Sequence, residues 1–546
     1  MNDLIIKIKH NPKVLLYSLF AFYIFQSFIF VQFADTGLDE GHWLMRSWWY
    51  VNDKIEPYSV QDPTFYMPIW FWVLGIWQKV WGIGHLSGRI LSAILGFGVL
   101  QMVFLIGTKI YKDEKWGVFA VGLLVLTPVS NWFHNITNSY SFISLIQLII
   151  IWILINKNRY PERISAVLLG LFYFILYFTR QNMVLGILPL LLYQFKTYDH
   201  NKYKNILITL GTFFIFTSFL YFTFKDTYFP YYVFNLPTGP IIPSFIREIL
   251  VNVGAINNPF GLIVNQAENI IDGKLLNISS LTTFFQNGIL LYLFFIVSSM
   301  INIAISIRKD VYTIKFYFSL YFIWMFLTHW FGSHIWCAGC ITPYTNYFLC
   351  VGALGSTGFI EYLFNNKYDI TEFCKGFTSG IFITAFGIMM VCNIYKVTFM
   401  LSDPRNSEID RVNRVKDLIN RNISDKLTIL PIDGRPFTVQ GAFLAGNIPE
   451  LTSINQYHSY RYNYKNKLFS DSELIGLRNA GFWTDQHMEK WIKSEYEYIL
   501  MGPKYKPWAK KYFPMVDKYF TKLDSIDLGL GTGPFIYLYK RELYSN

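Results

Sequence analysis

Apolar runs long enough to cross a membrane recur along the first 397 residues of this 546-residue chain, then stop. A helix needs about 20 mostly apolar residues to traverse the hydrocarbon core. Only helices and closed barrels satisfy their backbone groups there. The runs predict spans near residues 14–33, 86–108, 116–133, 139–156, 164–179, 182–195, 205–224, 286–307, 313–331, 344–364 and 376–397. Only 15% of the residues are charged and 53% are hydrophobic, whereas a soluble domain carries about a quarter charged residues. The expected fold is an α-helical polytopic membrane protein of about eleven spans over residues 1–397. A small soluble α/β domain is expected over residues 398–546.

Charge gives the bundle a direction. With the N-terminus in the cytoplasm, the inside loops hold Lys109, Lys112 and Lys115, then Lys157, Arg159 and Arg163. Lys196, Lys202 and Lys204 follow, then Arg308, Lys309 and Lys315, and last Lys367 and Lys375. Every inside loop is basic, as the positive-inside rule requires. The net charge of +11 is thereby a matter of topology and implies no nucleic-acid partner. Lys7, Lys9 and Lys13 precede the first run, which is too long for a signal-peptide core and lacks a small-residue cleavage site. It reads as a retained signal anchor. The expected location is the cell (inner) membrane, with the C-terminal domain extracytoplasmic.

Outer loops then cover residues 34–85 and 225–285. Residues 40–52 and 68–81 read as Trp-rich helices suited to the membrane interface. Were 68–81 to span instead, the charge pattern would invert beyond it. The spans at 164–179 and 182–195 are short, with Thr179-Arg180-Gln181-Asn182 between them. Such a turn sits below the outer surface, where polar backbone is tolerated only in protein or facing water. Arg180 is a functional candidate there, or an arginine that snorkels to the headgroups. In the tail, 407–423 has helical periodicity, and 426–432, 496–501 and 535–539 read as strands. Residues 529–534, glycine-rich, lead into a strand, so they read as a turn and not a dinucleotide loop.

The densest chemistry follows the first span, where Asp35, Asp39 and Glu40 crowd the outer mouth of a helix. A carboxylate beside low-dielectric walls is costly unless paired or used. A general base needs such a group aimed into a protected cavity. The run Leu38-Asp39-Glu40-Gly41-His42-Trp43 precedes Pro68-Ile69-Trp70-Phe71-Trp72 and Gly88-Arg89-Ile90-Leu91-Ser92-Ala93. In this order the three resemble the first quarter of polyprenyl-phosphate-sugar-dependent glycosyltransferases of the GT-C fold. The chain is similar to the protein O-mannosyltransferase and aminoarabinose lipid A transferase group. The motif match covers residues 35–95; beyond that the likeness is of plan. One departure is plain: Tyr66-Met67-Pro68 carries a single proline where the family commonly shows a polar residue before two.

The resemblance implies a sugar joined through phosphate to a polyprenol as donor, and a glycan, lipid or protein hydroxyl as acceptor. It makes Asp39 the catalytic carboxylate and Glu40 its partner. Substrate-binding candidates are His42, Asp62 and Tyr66, with Arg89, Arg180, Lys225 and Arg247 for the phosphate. His334 and Tyr344 would line the donor cavity. No resident cofactor follows, and a divalent metal is left open. Arg89 serves equally well as an interface anchor.

His329, His334, Cys337 and Cys340 are compact enough for zinc, a disulfide or a plain loop. The five cysteines (these two, Cys350, Cys374 and Cys392) make no disulfide framework. Asn135-Ile136-Thr137 and Asn277-Ile278-Ser279 match the glycosylation pattern, as chance allows in an Asn-rich chain. Rival readings are a transporter or flippase of a lipid-linked sugar and an O-antigen-type polymerase or ligase. A transporter should show paired repeats and helices broken at midplane.

Overall fold

A computed structural model describes residues 11–33, 40–52, 68–127, 133–156, 159–198, 201–223, 289–309, 312–336, 345–365, 408–423, 429–432, 436–446, 470–471, 485–502, 514–527 and 535–542. The first helix, α1 (Pro12–Phe33), is followed by two shorter ones, α2 (Glu40–Val51) and α3 (Pro68–Trp81). Then come α4 (His85–Tyr111), α5 (Glu114–Val125), α6 (Tyr140–Ile155), α7 (Glu162–Thr179), α8 (Val184–Thr197) and α9 (Lys202–Thr223). The bundle continues with α10 (Ile289–Arg308), α11 (Ile314–Trp336) and α12 (Leu349–Asn365). Ten of the eleven expected spans thus coincide with helices; residues 376–397 lie outside the described residues. Four of these, α1, α4, α7 and most of α9, are long and apolar enough to cross a membrane by length and composition.

The outward faces support the membrane reading. Phe214, Ile215, Phe219 and Phe222 of α9 are 60–72% exposed. Such a stripe is costly in water and natural against lipid tails. Inward, one contiguous apolar core joins α1, α4 to α8 and α10 to α12, through Val103, Ile150, Leu176, Phe322 and Leu354 among others.

Three expected boundaries move by five residues or more, and one of them is the end of α11, at Trp336 instead of 331. α5 stops at Val125 instead of running to 133. Thr127 turns its hydroxyl back to the Leu123 carbonyl, and Pro128 disfavours helical backbone at the residue before it. α12 begins at Leu349, after a turn at 345–348, not at 344.

α3 has the expected bounds, and its 14 residues reach only about 21 Å at ~1.5 Å per residue. That is short of a hydrocarbon core of about 30 Å. It lies against α2 through Trp43, Tyr50, Phe71 and Leu74. The ring of Phe71 stands 5.0 Å from that of Trp43 and 5.1 Å from that of Tyr50. Gln78 Nε2 donates to the Leu44 carbonyl at 3.0 Å, and Trp77 Nε1 to Ser87 of α4 at 2.9 Å. The two helices touch backbone to backbone at Gly75, where a Cβ would strike the Ser47 carbonyl.

The C-terminal region contains α13 (Glu408–Asn422), β1 (Ile429–Ile432), α14 (Pro436–Leu444), α15 (Asp485–Lys490), β2 (Tyr498–Met501), α16 (Met515–Tyr519), β3 (Phe520–Asp527) and β4 (Phe535–Arg541). The strand order is β1-β2-β4-β3, with β1 and β2 parallel and the other pairs antiparallel. Both faces of the sheet are covered. Tyr498, Leu500, Ile536 and Leu538 face α13, while Ile499, Met501 and Tyr539 pack with Trp491 and Phe520. Central β2 is buried throughout, which is why it reads as an unbroken apolar run. β3 is an edge strand whose side chains are mostly polar and half of them exposed, so no apolar alternation marks it in the sequence. The glycine-rich 529–534 lies outside the described residues; β4 begins just after it.

Gly75→Val should wedge α2 from α3. A loss of about 1–3 kcal/mol is expected, read as a lowered melting midpoint of the detergent-purified protein; an unchanged midpoint would contradict the contact.

Candidate functional site

Glu40 is the first residue of α2 and only 1% exposed. Arg89, one turn into α4, is 0% exposed. The guanidinium grips the carboxylate with two parallel bonds, Nε to Oε1 at 2.8 Å and Nη2 to Oε2 at 2.7 Å. Oε1 also accepts the Thr137 backbone N–H at 2.8 Å. Arg89 Nη1 donates to the Val31 carbonyl near the end of α1 at 3.3 Å. His85 Nδ1 stands 3.7 Å from Oε2. One ion pair therefore ties together the end of α1, the start of α2, the first turns of α4 and the segment before α6.

Burial alone would raise the Glu40 carboxyl pKa. The Arg89 charge and hydrogen bonds, with His85, outweigh it and hold the group well below the ordinary carboxylate range. An acid fixed in this state is a structural anion and a poor base. To the two readings of Arg89, phosphate ligand or anchor, the structure adds that its charge is met by Glu40 in a closed site. The sequon asparagine at 135 is 0% exposed, and buried asparagine is closed to glycan attachment.

A second polar cluster lies at the same end of the bundle. The Arg180 guanidinium stands 5.7 Å from the ring of Tyr347, in cation–π range. Tyr347 stacks on Tyr140, the first residue of α6, at 4.5 Å. Its carbonyl accepts Gln147 Nε2 at 2.7 Å and Ser144 Oγ at 3.2 Å. Gln147 Oε1 in turn accepts the Tyr321 hydroxyl at 2.8 Å. Arg180 is extended, closing α7, and a single 3-10 turn (Gln181–Met183) follows before α8. The break expected from the sequence is present. Through these contacts α4, α6, α8 and α12 all begin at this end of the bundle.

The C-terminal region meets this end as well. Phe443 and Leu444 of α14 pack on Leu44, Met45 and Trp49 of α2, with the Trp49 and Phe443 rings 6.4 Å apart. His329 is buried, its Nδ1 2.8 Å from the Met325 carbonyl. Asp39, Asp62, Tyr66, Lys225, Arg247 and Tyr344 lie outside the described residues, as do Cys337 and Cys340 and the side chains of His42 and His334. Among the described residues no cluster of metal-ligating side chains forms.

No protein-family model matches the chain, and no curated protein does. Solved structures do. ArnT from Cupriavidus metallidurans bound to undecaprenyl phosphate matches with a TM-score of 0.57 at 9% identity, over 96% of this chain and 97% of that one. The Archaeoglobus fulgidus oligosaccharyltransferase in complex with Zn and sulfate matches with a TM-score of 0.50 at 12% identity. That match covers 94% of this chain and 72% of the other. The shared property is the fold: a polytopic helical bundle with a C-terminal domain.

Glu40→Gln should leave a buried, uncompensated guanidinium and cost about 3–5 kcal/mol. Adding Arg89→Met should recover most of the melting midpoint. Because the Glu40 pKa is depressed in the fold, its contribution is complete above the ordinary carboxylate value of about 4.3. It is lost as pH falls from there toward the folded value. The midpoint of the wild type should therefore drop more on acidification below about pH 4 than that of the double variant. Equal acid sensitivity of the two would refute this role.

Proposed function

We propose that the chain is a membrane glycosyltransferase that moves a sugar from a polyprenyl-phosphate carrier to an acceptor hydroxyl on the outer face. The observation that carries this reading is the Glu40–Arg89 clamp. It fixes Glu40 to the bundle end where the helix break and the C-terminal region also meet. The fold match gives it a setting: ArnT, of the same fold, was solved with undecaprenyl phosphate. Asp39 is covalently next to the clamped residue, so its backbone is tied about 3.8 Å from the Cα of Glu40.

In this mechanism the acceptor hydroxyl attacks the anomeric carbon while Asp39 takes its proton. The bond from the anomeric carbon to the phosphate oxygen breaks, and the polyprenyl phosphate leaves with the electron pair. Positive potential must meet that developing charge. Arg180 is the described cation best placed for it, because α8 and α12 begin beside it and helix N-termini favour anions. Lys225 and Arg247 remain candidates for the same phosphate. Asp62 and Tyr66, with His42, His334 and Tyr344, are candidates for the sugar and the cavity walls. Glu40 and Arg89 hold the motif in place and stay out of the chemistry. The N-terminus is cytoplasmic, and the C-terminal region shares the outer face with the site.

The helix break at Arg180 favours one second reading, a flippase for a lipid-linked sugar, since transporters build sites from discontinuous helices. The two are separated by chemistry. Asp39→Asn should express normally and lower sugar transfer at least about 100-fold, as loss of a general base does. Mass spectrometry of glycans and glycolipids from complemented deletion cells reads the result. Unchanged product would remove Asp39 from the mechanism.

A further inference from the structure

Gln440 of α14 is 3% exposed. It presses so closely on Gly41 that a Cβ there would collide with its Cγ, Cδ and Nε2. Gly41 is the second residue of α2, next to Glu40, so only glycine lets α14 approach. Among the described residues, neither polar atom of the buried Gln440 amide, Oε1 or Nε2, has a hydrogen-bond partner. A buried polar group left unpaired costs about 1–3 kcal/mol. The neighbouring contact of Phe443 and Leu444 with Leu44, Met45 and Trp49 is apolar, and leucine would fill a space similar to that of the glutamine.

We propose that Gln440 is a substrate-binding residue supplied by the C-terminal region, whose amide receives adjacent hydroxyls of a sugar at the first turn of α2. This rests on the glycosyltransferase reading. The amide itself selects the ligand class. Oε1 needs a donor and Nε2 an acceptor. A phosphate or carboxylate offers acceptors only and would leave Oε1 orphaned. Neighbouring sugar hydroxyls offer both. Binding requires α14 to shift against α2, a motion that the close contact at Gly41 passes on to α2. The sugar is either the one transferred from the donor or one already on the acceptor.

The test uses full-length protein in membranes of deletion cells. A polyprenyl-phosphate-sugar fraction and a cell-envelope acceptor fraction are titrated separately, with product read by mass spectrometry. Gln440→Leu should melt at or above the wild-type midpoint, because it removes an orphaned amide. It should raise the half-saturating amount of one fraction by about tenfold or more. A shift in the donor fraction assigns the amide to the transferred sugar, and a shift in the acceptor fraction to the acceptor glycan. Gln440→Glu, similar in shape but unable to donate when ionised, should show the same shift. Half-saturating amounts within about twofold of wild type, or a lowered midpoint with equal loss in both titrations, would overturn the proposal. If Asp39→Asn abolishes transfer while Gln440→Leu is unaffected, this proposal alone falls. If deletion cells make every glycan that wild-type cells make, the glycosyltransferase reading falls, and this proposal with it.

Discussion

Everything at the mouth of the bundle depends on one bidentate ion pair in a place without water. Glu40 and Arg89 have no solvent to return to, so each is tolerable only in the grip of the other. Such a pair contributes little net stability against an apolar substitute, yet it discriminates sharply among arrangements. A helix that slid along α4 by a turn would strand two charges. The pair converts a loop that follows a span into a fixed start for α2, with Val31 and Thr137 bound into the same knot.

α2 is consequently a plate held from several sides. Gly75 of α3 lies against its backbone on one side, α4 grips its first turn, and Gln440 leans on Gly41. Close backbone contact leaves little room for independent motion. A displacement of α14 would therefore be felt at the first turn of α2. The C-terminal region is thereby in direct contact with the first turn of α2.

Much of this was legible in the chain and some was not. Spans declare themselves by local composition, because lipid asks only for apolar length. α3 was bounded to the residue, opened by Pro68 and closed before Gly82. Aromatic content marked α2 and α3 as interfacial. The acidic motif was visible for the same reason: charge beside a span stands out. What pairs with what was not visible. Arg89 reads equally as a phosphate ligand or an interface anchor, and the carboxylate it pairs with lies 49 positions away. Gln440 had no local signal, because its meaning comes from Gly41, some 400 positions earlier in the chain. β3 escaped because an edge strand needs no apolar alternation when one side meets water. The ends of α5 and α12 were missed because turns set by Thr127 and by 345–348 interrupt runs that remain apolar throughout.

The common starting end of α4, α6, α8 and α12 has an electrostatic meaning. Beside the Arg180 guanidinium, the backbone adds positive potential of its own. A helix start carries the equivalent of about half a positive charge, and low-dielectric walls keep such a field from being screened. A membrane protein can in this way hold an anion on the face where its insertion signals forbid many lysines, by aiming peptide dipoles at the spot.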